Sequence, residues 1–161
     1  VVSRRGRVRA TKGRSWAASD VYKGEDSGEE GRLVGKLARD LMQSTPRDDV
    51  IMWSALDDSK VIGCVFFSRL RFDEDGRVVF LMAPVAVKTE HQNIGIGQKL
   101  IARGLENLRQ RDVDFVLTYG DPNYYIKTSF QPISADMASA PRWLSMSRRW
   151  TGEARSATMY G

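Results

Sequence analysis

One cysteine, one histidine and five prolines in 161 residues leave several chemistries without material. Cys64 stands alone in the apolar stretch 61–67, which rules out an intrachain disulfide and a cysteine-based zinc site. No metal site is expected, and the lone thiol suits a reducing cytoplasm. Long apolar runs are missing too. The longest, residues 78–87, has ten residues, about half of what a bilayer-spanning helix needs, so no membrane insertion is expected. The basic start (Arg4, Arg5, Arg7, Arg9) meets the polar Ser19, Asp20, Glu25 and Asp26 with no signal-peptide core between them, which argues against secretion by that route. What is present, 42% apolar and 28% charged residues, fits one compact domain.

The net charge of +5 is unevenly spread. Residues 1–15 carry Arg4, Arg5, Arg7, Arg9, Lys12 and Arg14 with no acid, and residues 137–161 carry Arg142, Arg148, Arg149 and Arg155 against Glu153. The stretch 16–136 is net acidic, with 15 basic and 19 acidic side chains. Basic arms bind phosphates through counterion release. No zinc-finger spacing, ribonucleoprotein motif or aromatic series accompanies them, so nucleic acid is not the expected partner.

Along the chain, Leu33, Val34, Leu37, Leu41 and Met42 recur at helical spacing between Glu25 and Ser44, with acids early and Pro46 just beyond. Three strands follow as a meander: 50–56, 61–71 and 77–87. The polar turn 57–60 separates the first two, and the Asp75-Gly76 dipeptide is expected to turn the second hairpin. The period then changes. Ile94, Gly97, Leu100, Ile101, Gly104, Leu105 and Leu108 fall on one helical face ending near Arg111. A short strand, 113–119, comes next, and then a short helix, 123–128, with Asp121 as N-cap and Pro122 at its first position. A meander followed by helix, strand and helix predicts a mixed sheet with one parallel crossover.

Between the third strand and that long helix lies Lys88-Thr89-Glu90-His91-Gln92-Asn93-Ile94-Gly95-Ile96-Gly97. Free amides of a first helical turn, the helix dipole and two residues without Cβ favour a phosphate there. The loop lacks the third glycine of a dinucleotide fingerprint and the Gly-Lys-Ser/Thr of a P-loop. Tight strand-to-helix packing would also use these glycines.

Gln92-Asn93-Ile94-Gly95-Ile96-Gly97 resembles the Q/R-x-x-G-x-G/A signature of the GCN5-related N-acetyltransferases (GNAT), in the strand-to-helix context that family has. Residues 120–132 (GDPNYYIKTSFQP) resemble the GDPxYYxxxGF segment of a bacterial subgroup of predicted acetyltransferases, with Ser129 where glycine is usual. The likeness spans about residues 27–135. It implies an α+β fold, with a central mixed, mostly antiparallel, splayed sheet flanked by helices. It also implies acetyl-CoA as co-substrate, its pyrophosphate over Gln92, Asn93, Ile94, Gly95, Ile96, Gly97 and Gln98, and its pantetheine along Val85, Ala86 and Val87. In that likeness Ala86 and Val87 supply main-chain amides to the pantetheine and the thioester carbonyl.

The resemblance further implies Tyr125, five residues before Phe130, as the acid for the departing thiolate, while Tyr124 is read as a packed aromatic. Lys99 and Arg103 either reach the nucleotide 3′-phosphate or form a solvated helix face. Glu90 and His91 are poor candidates for the base, and Asp73, Glu74 and Asp75 read as a solvated turn. The function implied is direct acetyl transfer to a primary amine of a small molecule or peptide; the alternative is an inactive acyl-CoA-binding sensor. The chain then divides into 1–20 (a basic arm, or a weak first strand at 7–11), 21–135 (the acetyltransferase domain) and 136–161. The last of these, with Trp143 and Trp150 among arginines, is a candidate to close the acceptor pocket or to join two copies as a homodimer.

Overall fold

The computed structural model describes residues 7–10, 28–72, 75–133 and 157–160. They form a sheet of seven strands in the spatial order β1-β2-β3-β4-β5-β7-β6. The strands are β1 Arg7–Ala10, β2 Val50–Asp57, β3 Lys60–Phe72, β4 Asp75–Val87, β5 Phe115–Tyr119, β6 Gln131–Ile133 and β7 Ala157–Tyr160. Neighbours are antiparallel except β4 and β5. Helix α1, Gly28–Ser44, precedes β2; α2, Ile96–Arg109, makes the crossover from β4 to β5; α3, Pro122–Tyr125, runs on into a 3-10 turn, Ile126–Thr128.

Strand alternation explains why residues 61–67 are buried without a break. Val65 and Phe67 face one side, where Phe80, Met82 and Val116 pack under Ile96, Leu100, Ile101, Leu105 and Leu108 of α2. Cys64 and Phe66 face the other, with Met52 and Val61, under Ala38 of α1. The β2–β3 hairpin closes at Asp57↔Lys60 with Asp58 and Ser59 both at positive φ, 44° and 68°, the turn that matches strand twist.

Four expectations need correction. On α1 the apolar residues at helical spacing do not all reach the core: Leu33 and Leu37 are 61% and 43% exposed, and the packed stripe is Val34, Ala38, Leu41 and Met42. Spacing of three to four covers a wider arc than one sheet face can bury. Ile94 is 60% exposed because α2 begins two residues later, after the left-handed Gly95. Asp75 pairs with Phe72 and Gly76 lies within β4, so the Asp-Gly dipeptide opens a strand instead of forming the turn; Asp73 and Glu74 lie outside the described residues. Finally, β6 and β7 had no counterpart in the sequence reading, and β7 sits between β5 and β6. The helical acids Glu25 and Asp26, Trp143 and Trp150, and most of the basic arms also lie outside the described residues.

Candidate active site

The site begins with a break in pairing. β4 and β5 pair only at Val79↔Phe115, Phe80↔Val116 and Leu81↔Leu117, while β4 continues to Val87. Asp114 brackets this short ladder at one end, its Oδ2 accepting from Val78 N at 2.6 Å. At the other end Thr118 donates its hydroxyl proton to the Met82 carbonyl at 2.9 Å. Opposite β3 the register slips by one residue between Val65↔Val85 and Phe67↔Met82, a bulge in β4 that contains Pro84. Proline has no N–H to give a ladder, and a bulge is where a central strand tolerates it.

Beyond the bulge, Lys88 N donates to Ile62 O at 2.9 Å. Alternation therefore turns the main-chain groups of Lys88 and Ala86 toward β3, and those of Val85 and Val87 toward the edge that β5 has left. Gln92 Nε2 reaches the Val87 carbonyl on that edge at 2.9 Å. Of the two residues expected to offer main-chain amides, Val87 thus faces the open edge together with Val85, while Ala86 faces β3.

Next in the chain, a 3-10 turn, Thr89–His91, carries Glu90 and His91, and the loop then enters α2. Asn93 and Gly95 have φ of 60° and 80°. At Gly95 a Cβ would make only an ordinary contact, with Gln98 Oε1 at 3.9 Å, and the limit is the backbone conformation. At Gly97 the limit is contact, since a Cβ would collide with the Tyr124 hydroxyl. Helix α2 has no side-chain cap and no acid in its first turn. The first-turn amides of Ile96, Gly97 and Gln98 have no carbonyl within the helix to bond, and the positive end of the dipole is not neutralised by a neighbouring carboxylate of that turn. Such a terminus binds anions. Gln98, Lys99 and Arg103 are exposed on the turns that follow.

Across the gap stands α3. Asp121 caps it, Oδ1 accepting from Asn123 N at 2.9 Å, with Pro122 at the first position as the sequence predicted. Its tyrosines pack edge to face, Tyr124 on Tyr125 at 5.2 Å and Tyr125 on Phe130 at 5.8 Å. Ser129 adopts φ 70°, so the turn before Phe130 forms although glycine is absent. Burial raises the Tyr125 phenol above its ordinary value; a hydrogen bond with Thr118 opposes this shift and Tyr119 adds to it. Tyr124 is raised by burial and then by Tyr125. Both phenols therefore stay protonated at neutral pH. The half-buried Tyr124, read from the sequence as plain packing, has its hydroxyl against the first turn of α2. The hydroxyl of Thr118, which follows the apolar 115–117, bonds to Met82 across the sheet, a contact that strand alternation does not announce.

Among the described residues there is no group of three or more side chains that could hold a metal ion, and no helix long and apolar enough to cross a membrane.

The sequence model of the acetyltransferase (GNAT) family matches residues 16–125. The chain belongs to that family. Among curated proteins, this GNAT chain is 28% identical over 121 residues to the uncharacterized N-acetyltransferase YjhQ of Escherichia coli K12, covering 74% of this chain and 67% of the relative. It is 32% identical over 106 residues to the uncharacterized N-acetyltransferase YhbS of the same strain, covering 63% and 60%. The chain thus spans about three fifths to two thirds of the curated relatives it matches. Among solved structures, E. coli YhbS in complex with CoA superposes with a TM-score of 0.76 at 23% identity, over 99% of this chain and 83% of that one. A Brucella melitensis GNAT acetyltransferase in complex with acetyl-CoA gives 0.70 at 23%, over 80% and 84%. These superpositions establish the mixed, helix-flanked GNAT fold.

Proposed function

We propose that the chain is an acetyl-CoA-dependent N-acetyltransferase acting on a primary amine of a small molecule or peptide. The observation that carries this reading is the alignment of an uncapped helix terminus with an unpaired strand edge. The loop 88–95 joins the β4 segment whose Val85 and Val87 main chains face the gap to the first turn of α2. The helix terminus suits a pyrophosphate and the strand edge a pantetheine amide chain. Two structural neighbours hold CoA and acetyl-CoA, and the curated relatives are named N-acetyltransferases.

Acetyl-CoA supplies an activated acyl carbon. The amides of Ile96, Gly97 and Gln98 receive its phosphates, with Gln92, Asn93, Ile94 and Gly95 shaping the loop. An amide on the open edge, Val85 or Val87, stabilises the charge that develops on the thioester oxygen. The neutral amine forms the new N–C bond, the C–S bond breaks, and the Tyr125 phenol gives its proton to the departing sulfur. A phenol raised by burial is protonated and ready for that task at neutral pH. The amine's own proton leaves to water.

The test is release of free CoA thiol from acetyl-CoA in the presence of polyamines, amino sugars, and peptides with free N-termini or lysines. At least one class should be turned over. Tyr125→Phe should lower kcat about 10²-fold, the scale of general acid catalysis, and leave acetyl-CoA affinity within about twofold, because uniform binding is untouched. Wild-type protein that binds acetyl-CoA and transfers to none of these amines would overturn the reading in favour of a silent binder.

A further inference from the structure

We propose that Gln92 competes with acetyl-CoA: its carboxamide holds the Val87 carbonyl on the open β4 edge, and the pantetheine arm has to take that carbonyl from it. The inference rests on the acetyl-CoA site of the reading above. Lys88 N donates to Ile62 O at 2.9 Å, and these two residues stand one step beyond the Val87↔Gly63 pair, so the main chain of Val87 points away from β3. It points to the side on which β5 pairs with β4 no further than Leu81. An extended chain of amides adds to such an edge through main-chain hydrogen bonds. From within the protein, Gln92 reaches it, with Nε2 at 2.9 Å from Val87 O.

The local fold explains the reach. In the 3-10 turn Thr89–His91, His91 N donates to Lys88 O at 2.8 Å and Gln92 N to Thr89 O at 3.2 Å, which folds the chain back on the strand end. Gln92 leaves that turn extended, with φ −73° and ψ 169°, and its side chain returns five residues to Val87. The bond needs both the length of a glutamine and an N–H, which a carboxylate does not have. The pantetheine arm is itself a chain of two amides, so it brings to the edge the donor that Gln92 already supplies, an amide N–H. Both seek one acceptor. Gln92 keeps the edge carbonyl paired and thereby subtracts the net worth of one hydrogen bond from the affinity of the arm. The nucleotide end meets no such rival, because its phosphates fall to the first turn of α2.

The experiment uses the full chain as wild type, as Gln92→Met, which keeps the length without a donor, and as Gln92→Asn, which keeps the carboxamide one methylene short. Calorimetric titration compares acetyl-CoA with 3′-phospho-ADP, the same nucleotide end without the arm. The side-chain amide signal of Gln92 is followed by NMR in isotope-labelled protein, with Gln92→Met assigning it. Both variants should bind acetyl-CoA about two- to tenfold more tightly, the net worth of one hydrogen bond, and 3′-phospho-ADP within about twofold of wild type. In wild type, saturating acetyl-CoA should move the Gln92 signal to that of a water-exposed carboxamide, and 3′-phospho-ADP should leave it in place. Unchanged or weaker acetyl-CoA binding in Gln92→Met would overturn the proposal and make Gln92 a plain support of the loop. A Gln92 signal that acetyl-CoA leaves in place would also overturn it, since a carbonyl has two lone pairs and could then serve both donors. Wild type that binds acetyl-CoA and acetylates no amine would defeat the acyl-transfer reading alone; wild type that binds no acetyl-CoA would defeat both.

Discussion

At the scale of single residues, the site is built from close approaches that tolerate little change. Gly97 lies against the Tyr124 hydroxyl, and a Cβ would collide with that oxygen but stand 3.7 Å from the ring carbon bearing it. Gly97→Ala should therefore destabilise the protein by ~1–3 kcal/mol, the usual penalty of overpacking. Removing only the hydroxyl, in Gly97→Ala/Tyr124→Phe, should recover most of the loss; chemical denaturation of the two variants measures it, and equal stabilities would contradict the contact. The tyrosines give a pH signature. Burial raises Tyr119, Tyr124 and Tyr125 above their ordinary value, so the fold binds these protons more tightly than the unfolded chain does. Their contribution to stability is complete below about pH 10 and is lost as pH rises through the raised values. Melting temperature should stay level between pH 8 and the onset near 10 as far as these groups decide it. Tyr125→Phe should soften the fall above that onset. A fall of the same steepness in the variant would refute the assignment for Tyr125.

At the scale of elements, what could be read from sequence was whatever the chain repeats locally. Alternation and the 3.6-residue period found β2, β3, β4 and α2, because Met52, Cys64, Phe66 and Leu100 recur at the spacing their packing demands. The candidate phosphate loop was legible for the same reason: its glycines stand at a change of period. The short strands β6 and β7 were not. Gln131–Ile133 and Ala157–Tyr160 contain too few residues to show a period and owe their existence to pairing with each other and, for β7, with β5. Thr118 was invisible because its meaning lies in Met82, 36 residues away. Ser129 marks an element that forms against local preference. Its left-handed φ of 70° costs about 1 kcal/mol in a residue with a Cβ. Ser129→Gly should raise stability by up to ~0.5 kcal/mol after the entropy gained by the unfolded chain is counted. Thermal melting reads that gain, and a loss of stability would show that the serine side chain contributes something the backbone argument omits.

At the scale of the whole molecule, the described sheet is two halves joined by a short seam. β1 to β4 form one antiparallel half and β5, β7 and β6 the other, with three parallel pairs between them, closed at the ends by Asp114 and Thr118. The candidate site occupies the opening beyond that seam, between the β4 edge and α3, and α2 spans the chain from one half to the other. A ligand held there by α2 and β4 stabilises the folded state by mass action, so binding must register as a shift in the melting of the whole protein. The uncapped first turn of α2 is the proposed acetyl-CoA phosphate site. The most direct test is calorimetric titration of the full chain with acetyl-CoA, paired with thermal melting, for wild type and Gly95→Glu. Glutamate at that position brings a negative charge to the helix terminus and a side chain to a φ of 80°. Wild type should show saturable binding and a raised melting temperature, and a Gly95→Glu protein that still melts cooperatively should show neither. Equal affinity in the two proteins, or no binding by folded wild type, would contradict it.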